Sequence, residues 1–422
     1  MTVLFAQDSP LFKNVMIDIQ DGKTYPPCEP SIVINPKNTN EIMGAAILDK
    51  VYRSTDGGAT WNVSRLTSSL GVFGDPCLVT NKKGHYYYFH LSNPSGLGWA
   101  DESLLDRIVC QRSNNGKKWS DGAGIGLNGS KDQDKEWAVT NPKTNEVYVA
   151  WTQFDSYNSK QEGDSTVILF SKSNKKAKEF SEPVRISNVA GDCLDDDETT
   201  EGAVPAVGAN GEIYVAWAVN ETIFFDRSLD NGTTWLETDI EAARIVGGWS
   251  QKIPGIQRCN GMPVLKCDLS GGEHHGRIYI NWTDQRSGMS DTDVWLVYSD
   301  DQGTTWSNAI KVNQDDSKRH QFFTWLDIDQ TNGNLYTVYY DRRVGAENET
   351  DVYLSASLDG GITWSDYIVS STSFIPNDQV FFGDYNNISA HSGVIRPIWT
   401  RYSENKLSVW TALINESQLF KN

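Results

Sequence analysis

The sequence predicts an all-β chain in which one four-stranded unit is repeated around a ring. Three observations carry that expectation. First, a phrase of a small polar residue, a turn rich in Asp and Gly, and a closing Trp occupies residues 54–61, 228–235, 299–306 and 357–364, with eroded copies at Arg112, Asn114, Gly116 and Trp119 and at Ser173, Lys175, Ala177 and Phe180. Second, successive closing aromatics are 58, 61, 55, 71 and 58 residues apart, which is the regularity of stacked copies of one supersecondary unit. Third, the stretches between are short apolar runs bounded by Gly, Asn and Pro, and none sustains a helical period.

Each unit reads as a first strand, a second strand ending near an aromatic, a third leading into the phrase and a fourth leaving it. The second strands align as Tyr88-Phe89-His90, Val149-Ala150-Trp151, Val215-Ala216-Trp217, Ile280-Asn281-Trp282, Thr337-Val338-Tyr339 and Pro397-Ile398-Trp399. Beyond the last phrase, residues 385–390, 394–400 and 407–413 supply three more strands, and residues 15–19 can add the fourth from the other terminus. Closing the ring in this way removes an exposed sheet edge. The expectation is a β-propeller of seven four-stranded blades, with six as the alternative. Radial repeats pack only on their neighbours, so residues 11–422 read as one domain despite their length, and residues 1–10 as a leader or expression remnant.

The recurring phrase resembles the Asp-box, S-x-D-x-G-x-T-W, of the sialidase-like β-propellers. Those residue types have a physical basis: Asp accepts hydrogen bonds from turn amides, Gly takes a positive φ, and Trp plugs the space between neighbouring sheets. The resemblance implies that the boxes hold blades together on the face away from the active site. Meander topology gives the same division. The approach to strand one and the turn after strand two lie at one end of each blade, and the box at the other.

Composition narrows the function classes. The formal charge is −18, with 55 acidic and 37 basic residues, which argues against nucleic acid as the main partner. No apolar run approaches the ~18 residues needed to span a bilayer. Met1 to Gln7 resembles the tail of a secretory signal cut near Ala6. The six Cys suit local disulfides, with Cys259–Cys267 and Cys28–Cys77 as the pairs to expect. Secretion to the periplasm, cell surface or medium, and action as a monomer, follow as expectations. The acidic run 195–198 reads either as a solvated loop or as a Ca²⁺ site, since hard cations take carboxylate oxygens; no other cofactor is suggested and the metal is left open.

Ionisable groups concentrate at the funnel end. Before the first strands stand Glu29, Asp75, Asp134, Lys135, Glu136, Glu201, Asn260, His320, Asp384 and Tyr385; after the second come His90, Asp155, Glu221, Asp284, Arg286, Asp341, Arg342, Arg343 and Arg401. Such a ring suits a polar-ligand pocket. Long loops at 92–106, 153–165, 188–201 and 246–260 suggest a walled cleft, with Trp99 and Trp249 on its walls.

The sialidase resemblance implies an Arg clamp on a sugar carboxylate, which Arg286, Arg343 and Arg401 could form. It also implies a Tyr nucleophile (Tyr340 or Tyr385), a Glu partner (Glu136 or Glu201) and the acid/base Asp75. The Phe-Arg-Ile-Pro phrase of that family is absent; the corresponding stretch reads Pro27-Cys28-Glu29-Pro30-Ser31-Ile32. Three functions follow: a hydrolase of an anionic glycan (uronate, sialate or sulfated), a polysaccharide lyase using His90, His320 or Tyr as base with Arg neutralisation, or a propeller that binds glycan or protein without catalysis.

Overall fold

The computed structural model describes residues 11–420; the leader reading of residues 1–10 lies outside them. Seven antiparallel sheets of four strands form the blades of a propeller. The innermost strands are Ser31–Ile34, Cys77–Thr80, Asp132–Thr140, Glu201–Val207, Val264–Cys267, Gln321–Ile328 and Asn387–His391. The seventh blade continues through Val394–Ser403 and Lys406–Asn415, and Lys13–Ile19 completes it from the other terminus, pairing Val15 with Thr411. The chain thus closes its own ring, as the terminal strands predict. No helix among the described residues is long and apolar enough to cross a membrane.

The boxes work as turns and wedges. In the first, the Ser54 hydroxyl donates to Asp56 at 2.8 Å and accepts from the Gly58 N–H at 2.9 Å, while Asp56 accepts from the Thr60 N–H at 2.9 Å and its hydroxyl at 2.6 Å. The other three intact boxes repeat this pattern around Asp230, Asp301 and Asp359. Box aromatics lean on the preceding blade: Trp235 on Phe170 with centroids 4.9 Å apart, Trp306 on Phe225 at 5.2 Å, and Phe180 on Phe89 at 6.1 Å. One eroded copy differs from its sequence alignment. Ser113, not Arg112, takes the Ser role, accepting from the Gly116 N–H at 2.9 Å, so that turn is one residue shorter.

The expected disulfides do not form; all six cysteines are free and buried. Cys259 lies at the funnel end beside Phe323, whereas Cys267 ends its inner strand beside Asp268. Cys28 packs toward Gly383 on the seventh-blade side, and Cys77 toward Ala138 of the third blade. Each thiol faces a different seam, so the cysteines no longer argue for export.

Candidate functional site

The funnel mouth is built from backbone that other residues seldom adopt. Glu29 (φ 52°), Asp75 (φ 47°) and Lys135 (φ 50°) take the left-handed conformation just before or within their inner strands, and Asp384 follows Gly383 at φ 93°. Bulges interrupt the inner strands between Asp134 and Trp137 and between Glu201 and Val204. A bulge re-aims side chains, and left-handed non-glycine residues persist only where surroundings enforce them, often at functional sites. Here they turn acids from several blades toward the axis.

Asp384 is the hub. Lys135 Nζ donates to it at 2.9 Å, and Arg258 grips it through Nε at 2.8 Å and through Nη2. Arg258 Nη1 also reaches Asp195 at 2.6 Å, and the Tyr157 hydroxyl donates to the same Asp195 oxygen at 2.6 Å. Asn260 donates to the Asp384 carbonyl at 3.0 Å, and Glu29 accepts the Asp384 N–H at 3.1 Å. Burial opposes the Asp384 charge, but Arg258 and then Lys135 outweigh it and hold that carboxyl below the usual range.

Asp75, Lys135, Glu136, Trp137, Asn260, Met262, Asp384 and Tyr385 enclose a cavity of about 10 Å³, room for one water-sized group. Asp75 is partly exposed there. Burial, followed by the charge of Asp134, pushes its carboxyl up to about 8. Burial and then Asp75 raise Glu136 well above the ordinary carboxylate value, and both its oxygens lack a partner, as does the Tyr385 hydroxyl. Glu201 is likewise buried with both oxygens unpartnered, raised by burial and then by Asp195. Trp137 packs at a tilt against Trp325, centroids 4.1 Å apart, and meets Tyr385 edge-on at 5.0 Å, forming an aromatic wall.

Of the sequence candidates, Glu29, Asp75, Lys135, Glu136, Asn260, Asp384 and Tyr385 converge here, with Asp134 beside Asp75 and Glu201 close to Asp195 and Lys135. The others lie elsewhere. The Tyr340 hydroxyl donates to the Thr400 carbonyl at 2.6 Å within an aromatic cluster. His90 is fully buried between the Leu91 carbonyl at 2.8 Å and Gln111 at 3.2 Å, and burial lowers it to about 4. His320 pairs with Thr292 at 3.0 Å and is also lowered to about 4 by burial. Neither imidazole is placed as a base for the funnel.

No clamp forms from the three arginines. Arg286 pairs with Asp284 and stacks over Trp295 at 4.4 Å. Arg343 is bound by Asp341 and Asp366 over Tyr353, and Arg401 lies over Trp410. Arg342 is buried against Phe322 with Thr350 at 3.1 Å. The expected carboxylate-binding cluster is thus absent from the funnel. Trp249 is buried against Gly202 and pins its own loop, whereas Trp99 is 68% exposed on the rim, 5.6 Å from Tyr157. The run 195–198 disperses: Asp195 turns to Arg258 and Asp197 to the Ser250 N–H at 2.7 Å. Among the described residues no cluster of three or more His, Cys, Asp or Glu could hold a metal ion.

Sequence reasoning missed Arg258, Asp195 and Tyr157 as site residues. Arg258 falls in the long loop 246–260, next to the noted Asn260, so its position carried a signal. A larger axial cavity of about 410 Å³ lies at the box end, walled by inner-strand residues such as Ile34, Leu78 and Val139. The acids of the funnel mouth do not line it, and Trp137, which lines both, stands between it and the chemical site.

Residues 297–308 match the family model of the BNR/Asp-box repeat. The chain is a seven-bladed β-propeller that carries an Asp-box repeat. This propeller is similar to a polysaccharide lyase described as an ulvan lyase, at 12% identity over 96% of both chains with a TM-score of 0.57. It is also similar to NanB, a sialidase of Streptococcus pneumoniae; one NanB structure aligns at 11% identity over 82% of this propeller and 68% of that chain, with a TM-score of 0.52. An α-L-arabinanase of Penicillium chrysogenum aligns at 15% identity over 85% of this propeller and 98% of that chain, with a TM-score of 0.48. At these identities the likeness is one of fold. No curated protein sequence matches the propeller.

Proposed function

We propose that this propeller hydrolyses a glycosidic bond at the funnel mouth, with Asp75 as proton donor, Tyr385 as nucleophile and Glu136 as the group that takes the tyrosyl proton. One observation carries the reading: Asp75, Glu136 and Tyr385 line a single cavity in which Asp75 holds its proton to about pH 8 and the other two have no partner. A carboxylic acid protonated at neutral pH beside a second proton-transfer group is the arrangement glycoside hydrolysis needs. The names of two fold neighbours, NanB and the ulvan lyase, support action on a glycan.

In the first step the Tyr385 hydroxyl loses its proton to Glu136 and bonds the anomeric carbon, while the leaving oxygen takes the Asp75 proton as the glycosidic bond breaks. In the second, Asp75 as carboxylate takes a proton from water, the water oxygen replaces Tyr385 on the anomeric carbon, and Glu136 returns the proton to tyrosine. The net reaction consumes one water. Lys135 and Arg258 hold Asp384 in place beneath the reacting groups.

A panel of aryl glycosides and polysaccharides, read both by new reducing ends and by ultraviolet absorbance of unsaturated uronates, tests this. The expected result is reducing ends without that absorbance, and a loss of ~10²–10⁴-fold in kcat for Tyr385→Phe or Asp75→Asn. Unsaturated products, or ligand binding without bond cleavage, would overturn it.

A further inference from the structure

The charges at the funnel mouth are unevenly committed. Its two cations, Lys135 and Arg258, are both engaged by Asp384, and the remaining arm of Arg258 is taken by Asp195. What is left is carboxyl: Glu136 and Glu201 are 1% and 0% exposed and all four of their oxygens lack a hydrogen-bond partner. Buried polar atoms are normally satisfied, so each such group calls for an explanation. A carboxylate on a ligand would meet no uncommitted cation here. A cation on a ligand would meet acceptors on several sides.

We propose that the cavity bounded by Asp75, Glu136, Trp137 and Tyr385 is a subsite for a primary ammonium group on the ligand, so that the glycan taken at this mouth carries an unacylated amine. The inference rests on the functional reading of the same site and names its substrate class. Size agrees: about 10 Å³ admits one water-sized group, and an ammonium is a compact point charge with three rotatable donors. The oxygens of Glu136 and Asp75 and the Tyr385 hydroxyl offer it acceptors, and the Trp137 ring, packed on Trp325, offers a π face. A metal ion lacks a ligand set among the described residues.

The ammonium also bears on the chemistry. Glu136 is faced by Asp75, Asp134, Lys135, Tyr385 and Cys77, with Lys135 itself neutralised by Asp384. An arriving cation favours an ionised carboxylate in that set, and an ionised Glu136 gives Tyr385 the proton acceptor it needs. Binding the amine therefore expels a proton.

The test uses the full chain with glucosamine, N-acetylglucosamine, glucose and glucuronate as probes at matched ionic strength, and calcium chloride as the metal arm. Melting temperature reads binding, since a ligand selective for the folded state raises it. Calorimetry in phosphate and in HEPES reads proton release. Glucosamine alone should raise the melting temperature and release about one proton per site near pH 7 by linkage. Glu136→Gln should abolish the release, and Trp137→Phe should weaken binding about threefold to tenfold, as expected for a desolvated cation–π contact. Equal stabilisation by N-acetylglucosamine or glucuronate, glucosamine binding without proton release, or the same response to calcium would overturn the proposal; the wild-type comparison holds even if a variant fails to fold. The two readings separate cleanly. Cleavage of neutral or acidic glycans with no glucosamine response sinks only the ammonium subsite, and glucosamine binding with proton release but no cleavage of any glycan sinks only the hydrolase.

Discussion

The two faces of the ring use the same residue types to opposite ends. At the box face Asp230 and Asp301 accept backbone N–H and Thr hydroxyl bonds, which lower their carboxyls to about 2. At the funnel face Asp75 is raised to about 8 by burial and then by Asp134, and burial likewise holds Glu136 and Glu201 well above the ordinary carboxylate range. Glycines supply most of the positive φ in the boxes, joined by Asn231 and Gln302, whereas at the mouth Glu29, Asp75 and Lys135 adopt it, where strain of roughly 1–3 kcal/mol each persists only if the surroundings enforce it. The box carboxylates are satisfied by their own turns, although the indole N–H groups of Trp235 and Trp306 have no partner. A face that leaves acids raised, strained and unpartnered is held ready for something other than folding.

Substitutions can break this contrast from either side. The largest effect is expected from Tyr385→Phe, with a ~10²–10⁴-fold fall in kcat and little change in melting temperature; a matched fall in stability would make the hydroxyl structural. Asp384→Asn strips both Lys135 and Arg258 of a buried partner and should cost about 3–5 kcal/mol in denaturant unfolding. Because the Asp384 carboxyl is depressed in the fold, the stability it contributes is present above the unfolded carboxylate value, and acid titration should show it disappearing as pH falls below that. Gly303→Ala acts on the other face: its new Cβ would lie 2.2 Å from the Phe225 ring at φ 83°, a cost of about 1–3 kcal/mol that urea unfolding measures while kcat is retained.

Asp75→Asn sharpens the comparison through pH. Since Asp75 is raised in the fold, ionising it opposes the folded state, and the wild type should lose stability as pH climbs from about 4 through about 8. The Asn variant should be flatter over that window, gaining about 1–3 kcal/mol at the alkaline end after allowance for the partial exposure of the site. Thermal unfolding across pH checks it. The smallest effect belongs to Trp99→Ala on the exposed rim, a rise in KM of a few-fold with no change in melting temperature.

Local chemistry made the fold readable. The box needs Ser, Asp, Gly, Thr and Trp at set spacing because hydrogen bonds and two successive positive φ values demand them, so four copies and their period announce the ring, and residues 15–19 could be seen to close it. The site was legible only where it belongs to a repeat position: Asp75, Asp384 and Tyr385 precede inner strands, and Glu136 lies within one at its bulge. Arg258, Asp195 and Tyr157 come from loops of different blades, and their meeting depends on the curvature of the ring, which no local pattern encodes. The misplaced arginine clamp had a local signal after all. Arg286 and Arg343 each follow an Asp by two residues, and those aspartates, Asp284 and Asp341, capture them.

The division of labour between the faces is tested most directly by following individual carboxyl groups in a carbon-13 NMR titration of Asp75 and Asp230. The account predicts that Asp75 keeps its proton until about pH 8 while Asp230 stays ionised down to about pH 2. Two midpoints lying together near the ordinary value of about 4 would contradict it.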